Sequence, residues 1–102
     1  MVIYNISERL EFEYEKFFSF CKLISRTDFY TRAFEIASKT AIYNALKKDI
    51  ADNALSEDFI IFLMNQENMI DYIYMKAEKD MVLTNGELTE KVWSRLKIKI
   101  KF

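Results

Sequence analysis

The chain has no proline and only one glycine in its 102 residues. Because these two residues interrupt helices and strands more strongly than any others, their scarcity predicts long elements joined by turns of Asn, Asp and Ser. Apolar residues make up 51% of the chain, which is enough for a buried core and too many for a disordered segment. We therefore predict one domain, residues 1–102, that is mainly helical.

Apolar residues recur at intervals of three and four, the spacing of helices with one buried face. This pattern predicts four helices, at about residues 8–25, 27–49, 57–65 and 68–80. A residue that commonly caps helices stands at the start of each one: Ser7, Thr27 or Asp28, Ser56 and Asn68.

The aromatic content is high, at 16%, with nine Phe, six Tyr and one Trp. In a chain this short we expect some of these rings to remain partly exposed, where aromatic side chains commonly anchor interfaces. Phe12 and Phe20 lie off the apolar stripe of the first helix, so that helix carries apolar residues on more than one side.

The C-terminal segment changes period. Asn85-Gly86 is a hairpin signal, but helical spacing in the residues after it favours a short fifth helix. From residue 96 onward, apolar residues alternate strictly with lysines, which predicts a strand whose partner within the chain would be Val2-Ile3-Tyr4. The predicted fold is a compact bundle of four to five helices, to which the termini can add a small two-stranded sheet.

Three residue counts limit the chemistry. The chain has no histidine, which excludes Ser-His-Asp and Cys-His nucleophile systems and imidazole-based zinc sites. A single cysteine excludes an intramolecular disulfide and multi-cysteine metal clusters, and a single glycine excludes a glycine-rich phosphate loop.

The remaining residues that could be catalytic are explained more simply by structural roles. Glu11 and Glu15 lie four residues apart and could serve acid–base chemistry, but a hydrated helix face explains them better. Glu35 and Lys39 have the spacing of a surface ion pair, and Cys21 falls on an apolar stripe without a base beside it. We predict no catalytic residue, no cofactor and no metal ligand.

The net charge of −1 is a cancellation between segments. Residues 1–58 carry −2, residues 59–90 carry −4, and residues 91–102 carry +5. The basic segment predicts a binding surface for an acidic partner, although a lysine face can also be the hydrated side of an edge strand, and its tryptophan can pack in the core. The predicted partner-binding residues are Trp93, Arg95, Lys97, Lys99 and Lys101.

Several short segments resemble a family of small helical domains from bacterial mobile elements and gut bacteria that have no assigned activity. The segments are Tyr14-Glu15-Lys16-Phe17, the run from Ala33 to Ile42 with Ala45-Leu46, Leu55-Ser56 with Leu63, and Ile70-Asp71-Tyr72-Ile73-Tyr74. The match runs mainly from Phe29 to Lys79, about half of the chain, and its motifs consist of packing residues. The resemblance therefore implies a helical fold, and by association a phage or mobile-element protein.

Together these observations predict a non-catalytic protein-interaction module in the cytoplasm, such as an anti-defence inhibitor of a host protein. The alternative is a nucleic-acid-binding regulator that uses the C-terminal lysines. The sequence has no segment apolar enough to span a membrane and no signal-peptide pattern. A homodimer through the C-terminal strand edge is compatible with either function.

Overall fold

The computed structural model describes residues 2–82 and 88–100, and the side-chain surroundings of residues 5–78 and 88–100. Within these residues the chain forms six α-helices and no strand. The helices are α1 (Val2–Leu23), α2 (Arg26–Thr31), α3 (Ala33–Ala51), α4 (Glu57–Met64), α5 (Met69–Val82) and α6 (Glu90–Lys99). The prediction of a mainly helical fold is confirmed, with more helices than the predicted four to five.

Helix α1 begins at Val2, so the predicted helix start after Ser7 and the N-terminal strand are both wrong. No residue between Val2 and Ser7 interrupts a helix. Ile6 lies four residues before Leu10, and both side chains are fully buried. Burial of this i, i+4 pair extends the helix beyond the point where the capping signal predicts its start.

The C-terminal strand prediction is also wrong, because residues 90–99 form α6. Thr89 caps this helix by accepting a hydrogen bond from the Val92 N–H at 3.2 Å. Leu96 and Ile100 are buried, whereas Ile98 between them is 76% exposed. The alternating pattern contained an i, i+4 apolar pair, which suits a helix as well as a strand.

Without these two strands, the described residues form no terminal sheet and offer no strand edge for a homodimer. Lys101 and Phe102, at the end of the predicted strand, lie outside the described residues, as does the predicted Asn85-Gly86 turn.

The predicted helix from residue 27 to 49 is divided into α2 and α3 at Arg32, whose backbone (φ −100°, ψ 10°) departs from helical geometry. Helix α2 is capped by Ser25, which accepts from the Asp28 N–H at 3.1 Å, rather than by Thr27 or Asp28. The predicted caps Ser56 and Asn68 are confirmed, since each accepts a backbone N–H three residues later.

The core lies where α1 and α3 pack against each other and against α5, with α4 on α1 and α6 on α5. Its fully buried side chains come from all helices except α2, and include Ile6, Leu10, Ile42, Leu46, Leu63, Met69, Ile73 and Leu96. Helix α2 buries none of its residues.

A buried carboxylate fixes the start of α5. Glu13 of α1 is 7% exposed and accepts the backbone N–H groups of Met69 and Ile70, each at 3.1 Å. Arg9 bonds the same carboxylate at 3.1 Å and also donates to the carbonyl oxygens of Met64 and Gln66. One pair of side chains on α1 thereby binds the end of α4, the following turn and the positive end of the α5 dipole.

Candidate partner-binding site

Two of the predicted partner-binding residues, Trp93 and Lys97, make contacts inside the fold. The Trp93 indole N–H donates to Asp49 Oδ2 at 2.8 Å, and Lys97 Nζ lies 2.7 Å from the same oxygen. Trp93 is 6% exposed, and the Lys97 ammonium lies 5.5 Å from the centre of its ring. These two residues attach α6 to α3, so Trp93 is a core residue rather than an exposed anchor.

Arg95 and Lys99 are exposed on the outer face of α6. Lys91, which is also exposed, lies four residues before Arg95 on the same face of the helix. The three residues are at i, i+4 and i+8, and each is about 6 Å further along the helix axis than the one before. We call Lys91, Arg95 and Lys99 the basic row. Lys91 was not among the predicted partner-binding residues, although it is the first cation of the basic segment 91–102.

A groove of about 500 Å³ lies between α3 and α6, beside the Asp49 contacts. Its lining mixes apolar side chains such as Ala41 and Leu88 with polar ones such as Asn44 and Ser94. Lys48 and Glu90 face each other across it at 3.8 Å. The groove is a surface depression at a helix–helix contact whose charged side chains pair across it.

Large apolar side chains are exposed at the other end of α3, where α1 ends and α2 begins. Five occur within residues 18–30, and we call them the aromatic end: Phe18, Phe20, Leu23, Phe29 and Tyr30. Tyr30 is 72% exposed. None of these residues was among the predicted partner-binding residues, although Phe20 lay off the apolar stripe and the aromatic content was high.

Cations lie over the rings of this region. Lys22 Nζ is 4.6 Å from the centre of the Phe18 ring, and the Arg32 guanidinium is 5.2 Å from the Phe20 ring. Such contacts keep a positive charge at the edge of an exposed apolar surface. The aromatic end can therefore offer a partner both apolar contact and positive charge.

A second polar cluster surrounds Lys39, which is largely buried. Its ammonium lies 2.8 Å from Glu35 and 2.7 Å from Asp71, so the predicted Glu35–Lys39 pair forms, but inside the fold. The rings of Phe17 and Tyr74 lie 5.2 and 5.4 Å from it. Burial alone would lower the pKa of Lys39, but hydrogen bonds to the two carboxylates outweigh it and raise the pKa, so the amine stays protonated.

The carboxylates of α1 do not form a paired acid–base site. Both oxygens of Glu11 accept from the Tyr43 hydroxyl, at 2.7 and 2.8 Å, and Lys47 lies 3.5 Å away. Tyr14 stacks on Tyr43 with ring centres 3.9 Å apart. Burial and the bond to Glu11 raise the pKa of Tyr43. Glu15 is exposed to solvent. The contacts of Glu11 with Tyr43 and Lys47 link α1 to α3 instead of pairing two carboxylates.

Cys21 is half-buried and forms no disulfide. Burial raises the pKa of its thiol, with a further contribution from the nearby Glu35 carboxylate. A nucleophilic cysteine needs the opposite shift, so the local environment suits a packing role.

Within residues 2–82 and 88–100 no group of three or more acidic or cysteine side chains is arranged to hold a metal ion. None of the helices in this part of the chain is both long and apolar enough to cross a membrane. Comparison with known protein families, curated proteins and solved structures finds no match for this chain. The resemblance to mobile-element domains therefore stays a prediction.

Proposed function

We propose that this chain is a non-catalytic module that binds another protein, and that the aromatic end is its binding surface. The observation that carries the proposal is the exposure of Phe18, Phe20, Leu23, Phe29 and Tyr30 within thirteen consecutive residues. Isolated exposed apolar residues are common, but a concentration of aromatic side chains is typical of protein interfaces.

The construction of α2 supports this interpretation. This helix buries none of its own residues, yet it is held in place by the Ser25 cap and by its direct continuation into α3. Because it adds nothing to the core, its two aromatic residues, Phe29 and Tyr30, are explained better by contact with a partner than by folding.

The buried charged side chains support a non-catalytic role. Among the residues that the structure describes, Glu13, Lys39 and Asp49 are buried most deeply of the charged side chains, and each binds groups on a neighbouring helix. Their chemistry is that of helix attachment, with hydrogen-bond partners already in place.

A capture experiment with matched variants tests the proposal. We expect the tagged chain to retain a specific protein from a cell lysate, and the double variant Phe29→Ser/Tyr30→Ser to lose it. Ile98→Ser removes an equally exposed apolar side chain from α6 and should capture normally. Equal capture by both variants, or no specific capture at all, would exclude the aromatic end as the binding surface.

The finer proposal, that the partner is a host defence protein, is supported only by the resemblance to mobile-element domains. It predicts that the protein lost by Phe29→Ser/Tyr30→Ser is a component of a bacterial defence system. Identification of that protein by mass spectrometry tests this step separately from binding itself.

A second candidate function is nucleic-acid binding, and the basic row of α6 favours it. Three cations about 6 Å apart could contact successive phosphates of one strand. Three phosphate contacts give a slope of about −2.7 in log affinity against log salt, and Lys91→Glu/Arg95→Glu should remove most of it. Retention on DNA that is unaffected by this variant would exclude the basic row as the binding surface.

The aromatic end and the basic row can be tested independently, because α3 is about 28 Å long, with α2 at one end and α6 near the other.

A further inference from the structure

The face of α1 that points away from the core exposes two large apolar side chains, Phe12 and Leu23, with the Lys16 ammonium 4.9 Å from the centre of the Phe12 ring. At 100° per residue, Phe12, Ser19 and Leu23 lie within about 40° of one another around the helix. Phe12 is 59% exposed, Leu23 is 85% exposed, and the small Ser19 between them is also exposed. We call these three residues the outer stripe. No helix of the described chain covers it, although α1 packs on three other helices through its opposite face.

Charge is distributed unevenly along this same face. Glu8 and Glu15 are exposed in the first two-thirds of α1, whereas Lys16 and Lys22 are exposed towards its end. Glu15 and Lys22 lie about 20° apart around the helix and flank the same side of the outer stripe. An acidic segment that ends at Glu15, followed by a basic one that begins at Lys16, is complementary to its own copy when that copy runs in the opposite direction.

We propose that the outer stripe binds a second copy of this chain, with the two α1 helices antiparallel around a two-fold axis at the level of residues 18–19. This symmetry places Phe12 of one copy against Leu23 of the other, and Glu15 against Lys22 of the other. Each pairing occurs twice, as in any two-fold interface. The small Ser19 at the centre allows the two backbones to approach closely. The inference rests on the proposed binding role of the aromatic end, to which Leu23 belongs.

The size of the surface sets the strength of the contact. The distance from Phe12 to Leu23 along the helix is about 17 Å, and the apolar contact is confined to one face. A contact of this length on a single helix face buries little surface and lies at the low end for specific interfaces. We therefore expect a reversible dimer with a dissociation constant of about 10 μM to 1 mM. The exposed Glu15–Lys22 contacts should contribute mainly to orientation and be weakened by salt.

Charge reversal with rescue tests the orientation. In sedimentation velocity across this concentration range, Glu15→Lys and Lys22→Glu should each weaken dimerisation about tenfold or more, because each creates two like-charge contacts. The double variant exchanges the charges and should restore the dimer to near the original strength. Glu67→Lys, an exposed control in the turn before α5 with the same charge change as Glu15→Lys, should dimerise normally.

A crosslink tests the position of the axis. Helices packed 8–10 Å apart, with Cα atoms 2.3 Å from each axis, bring the two Ser19 Cα atoms to within about 5 Å. A disulfide spans such a distance, so Ser19→Cys in a Cys21→Ala background should form a covalent dimer on mild oxidation. Asn44→Cys in the same background, exposed on α3, should not.

A chain that remains monomeric throughout the concentration range would refute self-association. So would a double charge variant that dimerises no better than the single ones. A monomer that still captures a protein through Phe29 and Tyr30 would refute only the dimer. A dimer with no dependence of capture on these two residues would refute the aromatic end instead, so the two failures can be distinguished.

Discussion

Replacement of Glu13 by alanine should destabilise the fold more than any exposed substitution on α1. The carboxylate accepts two buried backbone N–H groups of α5 and pairs with Arg9. A hydrogen bond to a charged group contributes about 1.5–3 kcal/mol, and a buried donor left without an acceptor costs about 1–3 kcal/mol. These values describe the same contacts and overlap, so we expect a loss of about 3–5 kcal/mol, as for breaking a buried charge pair.

That loss is large compared with the stability of a domain of this size, which is about 5–15 kcal/mol. Urea unfolding followed by far-ultraviolet circular dichroism measures it directly as a lower midpoint at an unchanged slope. Glu13→Gln keeps one carbonyl oxygen as acceptor and removes the charge, so its loss should be smaller, about 1.5–3 kcal/mol. This variant keeps the measurement possible if Glu13→Ala does not fold.

Glu15→Ala is the matched control, because Glu15 is exposed two residues later on the same helix. Its effect should stay within about 0.5 kcal/mol. A double-mutant cycle with Arg9→Ala should show coupling of about 0.5–3 kcal/mol between Arg9 and Glu13. If Glu13→Ala and Glu15→Ala have the same midpoint, α5 is not held by this carboxylate and the reasoning is wrong.

Three further predictions concern the other polar contacts. Asp49→Ala should lower stability by about 2 kcal/mol and shift the fluorescence of Trp93, the only tryptophan, to longer wavelength; an unchanged spectrum and urea midpoint would contradict the proposed attachment of α6. Because folding raises the pKa values of Lys39 and Tyr43, their stabilising contributions are complete below the ordinary values of 10.5 and 10.0 and are lost as the pH rises through the folded-state values. The urea midpoint should therefore stay level up to about pH 10 and fall above it, and fall less in Lys39→Met. Since burial raises the pKa of Cys21, its reaction with a thiol reagent at pH 8 should be slower in the native chain than in urea, and an equal or faster native rate would show an activated thiol.

Capping residues predicted helix starts correctly where their side chains bond to the backbone of the helix that follows them. Ser56 and Asn68 begin α4 and α5 as their capping chemistry predicts, because each accepts an N–H only three residues away. The same signal failed at Ser7, where the local sequence is compatible both with a helix start and with a helix interior. Ser7 can cap a helix, but it can equally continue one when Ile6 before it is buried.

The predicted site changed for a related reason. The lysines near the C-terminus were expected on one side of a strand, but Lys97 turns inward to Asp49, which lies 48 residues earlier in the chain. No pattern within a short window reveals a contact of that separation. Arg95 and Lys99 remained exposed, because a helix places Lys97, which would share their face in a strand, on the opposite side towards Asp49.

The class of fold follows from the sequence alone, because a chain without proline and with one glycine lacks the residues that end helices early. The sequence also establishes which chemistries are absent, since no tertiary arrangement can supply a histidine or a second cysteine. For residues 96–100, helix and strand are distinguished only by tertiary packing, because Leu96 and Ile100 fit both periods and their burial against neighbouring helices selects the helix. Tertiary packing likewise determines which aromatic residues stay outside, because exposure depends on where the core ends, and α2 lies beyond it.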